Sequence, residues 1–361
     1  MRAGRRHSVW PRRLAAVLVV AGLVALTEAS VFGDEGAQQP PAQTQQAQTQ
    51  APAQAQVQTP AQAQTQAPAQ AQTQAPASAP AEKGPPLPLH TFSGVSGTLM
   101  VPSAYFANPP LDGDVFALPS VSGIHLSMGH GRDMDVFSVT DNIFGRLELG
   151  YAYNRFDIGD LGQTIQNMTG ISIHDQFVEL HHFNARVMLV KDGDFGQPWV
   201  PAVTAGVEYM DNTSINDLNR ELHGTLRQIG IFDDQGADYT LHATKMITAL
   251  PRPVMLTAGA RLTEAAQAGL LGFTHEWKVV GEGSICVMAT DRVALGAEYR
   301  QNPNEYKAVP GIAAPEADWW SVLVAYILSK HATVAAGYAN FGTVMNHEAR
   351  EVWGVELKYE F

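Results

Sequence analysis

Charged residues recur two apart, or singly, inside short apolar runs of this chain: Arg146 and Glu148, Glu208, Arg261, Glu298 and Arg300, and Glu356, Lys358 and Glu360. Successive side chains of an extended strand point to opposite faces, so these charges gather on one face and their apolar neighbours on the other. Mixed charge on an enclosed face supports two kinds of chemistry. It can select solutes as a filter, or it can pair into a ladder of ions that fills the interior. The spacing leaves both open. Glu298 and Arg300, two apart on one face, are placed to pair, and no ring of a single sign assigns a preference for anions or cations.

Other reactive side chains offer less. The chain has 12 histidines, but they are scattered, and the adjacent His181 and His182 point to opposite faces of a strand and cannot share a metal. Cys286 is the sole cysteine, so neither an intrachain disulfide nor a cysteine metal cluster can form. In SICVMAT it reads as a small apolar strand residue. A serine, a histidine and a polar orienter cannot be assembled at matching strand positions, which argues against a lipid-hydrolysing barrel. The sequence therefore predicts no enzyme, no catalytic residue, no metal site and no cofactor.

The elements that must position the charges are strands. In Arg350–Phe361, Trp353, Val355, Leu357, Tyr359 and Phe361 face one side, against Val352, Gly354, Glu356, Lys358 and Glu360 on the other. That segment alone would also suit a soluble β-sandwich. The same two-sided pattern predicts further strands at 114–128, 132–140, 146–156, 176–191, 201–209, 237–248, 254–262, 279–289, 293–300, 318–328 and 331–341. Short turns at 141–142, 192–196, 250–253, 290–292 and 329–331 alternate with long connections at 157–175, 212–236, 264–278, 302–317 and 342–350. A sandwich has no reason to sustain this alternation, whereas a membrane barrel with short inner turns and long outer loops does. The predicted fold is all-β: a transmembrane antiparallel up-and-down β-barrel over 114–361, of about twelve strands within a range of roughly 10–14. Inside the longest loop, Ile215, Leu218, Leu222, Leu226 and Ile229 predict one amphipathic helix over 214–229, lying across the barrel mouth or packed on neighbouring loops.

Five arginines precede the apolar run Leu14–Leu26, so residues 1–33 read as a secretory signal peptide. Its removal takes the formal charge from −12 to −16, because Glu28 leaves with the arginines. This acidity argues against nucleic acid as a partner. Residues 34–89 are built from Ala, Gln, Pro and Thr with the unit QTQAPA repeated, and they bury nothing large. They read as a disordered periplasmic tether with a reach of roughly 40 Å, a plain spacer or a link to a periplasmic partner or peptidoglycan. Residues 90–113 remain as a periplasmic collar or a partial plug.

Several phrases in the C-terminal half resemble an uncharacterised domain-of-unknown-function family of Gram-negative outer-membrane proteins: YNRFDIGDLG from Tyr153, ATKMI from Ala243, GLLGF from Gly269, EGSICVMATDRVALGAEYRQNPN from Glu282, and EADWWSVLVAYILSKHATVAAGYANFG from Glu316. GVSGTLMVPSAYF, towards the N-terminus, resembles the opening of another group of envelope barrels linked to exopolysaccharide export. These resemblances imply an outer-membrane location in a Gram-negative cell and a barrel fold, and they supply no catalytic residues. They also imply that Trp353, Val355, Leu357, Tyr359 and the terminal Phe361 form the signal read by the barrel-assembly machinery. Two functions are expected. One is a porin-like passive channel for small hydrophilic solutes, and the other is a non-conducting anchor or accessory protein of a cell-envelope or exopolysaccharide assembly. Outer-membrane lipid is the surrounding partner in either case.

Overall fold

A computed structural model describes residues 88–111, 113–302, 304, 306–307, 315–344 and 347–361. The expected signal peptide and nearly all of the expected tether lie outside them. Twelve strands form the barrel: β1 Ser120–Ser127, β2 Asp133–Ile143, β3 Leu147–Asp157, β4 Phe177–Val190, β5 Ala202–Asn212, β6 Gln235–Ile247, β7 Val254–Ala265, β8 Phe273–Met288, β9 Val293–Arg300, β10 Trp319–Ile327, β11 Ala332–Asn340 and β12 Val352–Glu360. Each pairs antiparallel with its sequence neighbours, and β12 pairs with β1 from Trp353↔Ser127 to Glu360↔Ser120, which closes the sheet. Closure satisfies every strand edge, the condition for a sheet to survive in lipid.

The alternation that placed the strands also sorts their faces. Along β12, Trp353, Val355, Leu357 and Tyr359 are exposed while Glu356, Lys358 and Glu360 are buried. Several boundaries differ from the sequence expectation, and three of the shifts change a turn, a loop or the start of the barrel. The first barrel strand begins at Ser120 rather than near 114, because 114–119 run irregularly along the rim. The β2–β3 turn falls at 144–146 rather than 141–142, where Phe144 and Gly145 take φ of 55° and 64°. Strand β8 begins at Phe273 instead of 279, so its preceding loop has only seven residues, 266–272.

The segment 88–108 lies inside the sheet. It is buried throughout apart from the half-buried Leu99 and Tyr105, and it folds back on itself where Leu89–His90 pairs with Ser96–Gly97. Asn108 binds the Leu118 carbonyl at 2.5 Å and the Phe361 carbonyl at 3.4 Å, so the segment leaves at the rim that carries the C-terminus.

At the opposite rim the long loops fold inward. Helix α1, Leu161–Thr169, follows β3 and ends at Gly170, whose left-handed φ of 74° lets its N–H reach the Gln166 carbonyl at 2.8 Å. The sequence reading missed it, having placed only a loop there. The single helix expected over 214–229 is in fact two, α2 Ile215–Glu221 and α3 Thr225–Ile229. His223 and Gly224 take φ of 52° and 84° between them, and the Asn219 carboxamide accepts the Leu226 N–H at 3.2 Å, holding the break. The apolar stripe survives it: Ile215, Leu218, Leu222, Leu226 and Ile229 are all buried.

Candidate functional site

Buried charges of the barrel wall hold the inner segment by its backbone. Glu298 of β9 accepts the N–H groups of Met100 and Val101, each at 2.9 Å, and also the Thr98 hydroxyl. Ser321 of β10 donates to the other Glu298 oxygen at 2.6 Å. Across the lumen, Glu148 of β3 accepts the Ser96 N–H and hydroxyl, and Arg186 of β4 pairs with Glu148 at 2.7 Å. The same guanidinium donates to the Ser103 carbonyl at 2.8 Å. On β12, Glu356 accepts the His90 N–H at 3.0 Å, while Lys358 reaches the Pro88 carbonyl and pairs with Glu360 at 2.7 Å. Such charge-assisted bonds to an irregular backbone satisfy groups that have no sheet partner of their own.

Close approach is possible because the facing wall is small at one point. A Cβ on Gly150 of β3 would lie 2.3 Å from the Gly94 carbonyl oxygen, and Gly94 itself sits at φ +80°. Only a residue without a side chain admits the segment's backbone there. At the C-terminal rim, Tyr105 bonds Asp192, which also takes Lys245, and the Met246 N–H donates to the Tyr105 hydroxyl at 2.8 Å. Burial pushes the Asp192 carboxyl up, but the bonds from Lys245 and Tyr105 outweigh it and leave the group below its ordinary value. Burial and the neighbouring carboxylate push the Tyr105 hydroxyl up.

A second cluster lines β4–β9. Arg261 pairs with Glu208 at 2.7 Å and with Asp238 at 3.0 Å, His182 bonds Glu208 at 2.7 Å, His242 bonds Glu282 at 2.6 Å, and Arg300 stands 3.7 Å from Glu282. Arg261 Nη2, Asp238 Oδ1 and His242 Nδ1 have no hydrogen-bonding protein partner, while Arg261 Nε and Glu282 Oε2 make only the longer ion-pair contacts, at 3.6 Å to Glu282 Oε1 and 3.7 Å to Arg300 Nε. The opposite wall turns apolar towards the loop rim. Met134, Phe156 and Val178 meet Phe92 of the inner segment and Leu218, Leu222 and Leu226 of the loop helices around a cavity of about 60 Å³.

Eight of the nine charges singled out from the sequence are buried inside the barrel: Glu148, Glu208, Arg261, Glu298, Arg300, Glu356, Lys358 and Glu360. Arg146 is not among them. It sits in the β2–β3 turn, half-buried, with its guanidinium 3.4 Å from the Met188 carbonyl. The pairing expected between Glu298 and Arg300 is replaced, because Glu298 is taken by the inner segment and Arg300 turns to Glu282. Arg186, Asp238 and Glu282 were missed, although each occupies an inward position that the strand alternation marks. His182 is inward and buried while His181 faces out and accepts or donates to Tyr151 at 2.9 Å, as the parity of the pair required.

In structure the chain is similar to the KdgM porin, at 11% identity and a TM-score of 0.41 over 67% of this chain and 99% of that one. It is similar also to the NanC porin, at 10% identity and 0.38 over 67% and 98%. A third likeness is to the outer membrane protein Omp33 of Acinetobacter baumannii, at 11% identity and 0.34 over 68% and 99%. No curated protein matches its sequence. A family model described as a protein of unknown function, DUF3034, matches residues 89–358, and the chain belongs to that family.

Proposed function

We propose that the protein is an outer-membrane channel held shut by its own N-terminal segment, and that small hydrophilic solutes pass along the charged β5–β9 wall once that segment withdraws. The membrane location rests on the exterior. Phe137, Leu241, Leu295, Val322, Val355 and Leu357 stand exposed on it, and a closed sheet with an apolar outside is how strands cross lipid. The rim carrying the C-terminus then faces the periplasm, where the preceding tether would begin.

The observation that carries the channel reading is the set of unpaired polar atoms around Arg261. A buried donor or acceptor without a partner costs about 1–3 kcal/mol, and a purely structural wall gains nothing by so placing Arg261 Nη2, Asp238 Oδ1 and His242 Nδ1. Water or a passing polar solute satisfies them. A non-conducting anchor is the second reading, favoured by the apolar layer that runs from Phe92 to the loop helices and closes the outer mouth. Its periplasmic contacts would come through the tether, to peptidoglycan or a protein partner.

Gly150→Leu separates the two. It forces a side chain into the space of the Gly94 backbone and removes no charged residue. Liposomes carrying the variant should swell in small sugars faster than liposomes carrying the wild type. If a variant that still shows the faster gel mobility of an unboiled barrel gives no swelling, the anchor reading stands and the channel reading fails.

A further inference from the structure

Four sulfur-bearing side chains share the inner face of three neighbouring strands close to the periplasmic rim. Met246 of β6 stands directly opposite Met255 of β7, and Met255 stands directly opposite Cys286 of β8. Met288 lies two residues further along the same face of β8. Directly opposed Cβ atoms are about 4.5–5.5 Å apart, so side chains in such a row can converge on one atom. All four line a single cavity of about 130 Å³ beneath the inner segment.

Its other lining is poor in hard donors. Thr98 and Tyr105 contribute hydroxyls, but the first is bonded to Glu298 and the second to Asp192. The remaining neighbours, among them Leu89, Pro253, Ala294 and Ala325, are apolar. Met255 is buried, and Met246, Cys286 and Met288 are half-buried.

We propose that this row binds a soft monovalent cation, Cu(I), through the thioethers of Met246, Met255 and Met288 and the thiolate of Cys286. Thioether and thiolate ligands favour Cu(I), whereas carboxylate, carbonyl and water suit magnesium and calcium. The charges also balance. Cu(I) displaces the Cys286 thiol proton to solvent, the metal keeps its oxidation state, and one positive ion meets one thiolate, so the apolar cavity gains no net charge. The thioethers bind without exchanging protons, and affinity therefore rises with pH through the single thiol. The site lies against Pro88, next to the short turns at 248–253 and 289–292, so it is approached from the periplasmic rim.

The test is an anaerobic titration of the detergent-solubilised full chain with Cu(I) against a chromophoric copper chelator, run beside Met255→Leu and Cys286→Ser. Leucine keeps the volume of Met255, and gel mobility before boiling reports that each barrel is intact. The wild type should withhold one equivalent of Cu(I), and each variant should bind at least about tenfold more weakly, as loss of a ligand costs no less than loss of an outer-shell partner. X-ray absorption of the loaded protein should show sulfur neighbours alone. Equal binding by the wild type and both folded variants, or a metal shell of nitrogen and oxygen, overturns the proposal and leaves the four residues as packing.

Discussion

The buried carboxylates decide what the barrel interior is. Glu148 gives both oxygens and Glu298 one to the inner segment, and Arg186 ties Glu148 to the Ser103 carbonyl. Removing Arg186 leaves Glu148 uncompensated in a buried setting, a loss of about 3–5 kcal/mol for a broken buried pair. Arg186→Ala should lower the temperature at which the unboiled gel band disappears, and it should loosen the segment. At the rim, Asp192 carries a pH dependence of definite sign. Its carboxyl is held below the ordinary value of 3.8, so its contribution is complete above that pH and is lost as pH falls through the lower folded value. Between roughly pH 5 and 3 the wild type should lose more stability than Asp192→Asn, measured as the shift in unfolding temperature. The residues legible in the sequence were those on strands with clean alternation, such as Glu356 and Lys358. Arg146 misled because alternation continues past the last ladder pair, into a turn where parity no longer assigns a face.

Strand β12 shows how far a single element can be read. Its two faces came directly from the sequence, and the structure places Trp353 against Tyr338 at 5.2 Å and Tyr359 against Phe361 at 5.0 Å on the outside. Val355→Arg puts a charge at mid-strand on that face and should cost about 2–4 kcal/mol of barrel stability in lipid, read by the same gel transition. Helices were harder. The stripe over 214–229 was visible, but the break at His223–Gly224 depends on the Asn219 side chain and was not. Helix α1 has only Leu161 and Ile165 buried, too short an apolar repeat to stand out from a loop. The sulfur row was invisible for a different reason. Met246, Met255 and Cys286 belong to three strands, and only register brings them opposite one another.

At the scale of the whole molecule, twelve strands close a wall whose inside is divided between polar and apolar surfaces. The sequence foresaw the closed wall, because alternation, loop lengths and the expected export signal all pointed the same way. It left the occupancy of the lumen open, because residues 88–108 have no periodic pattern and their place is set by contacts to Glu148, Glu298 and Glu356 scattered over the chain. Those contacts hold the segment inside the barrel. The measurement that tests this most directly is single-channel conductance in planar bilayers, comparing the full chain with a variant lacking residues 34–108. The wild type should stay closed and the deletion should give steady, ohmic steps. Equal conductance in the two, or a folded deletion variant that never conducts, would contradict the account.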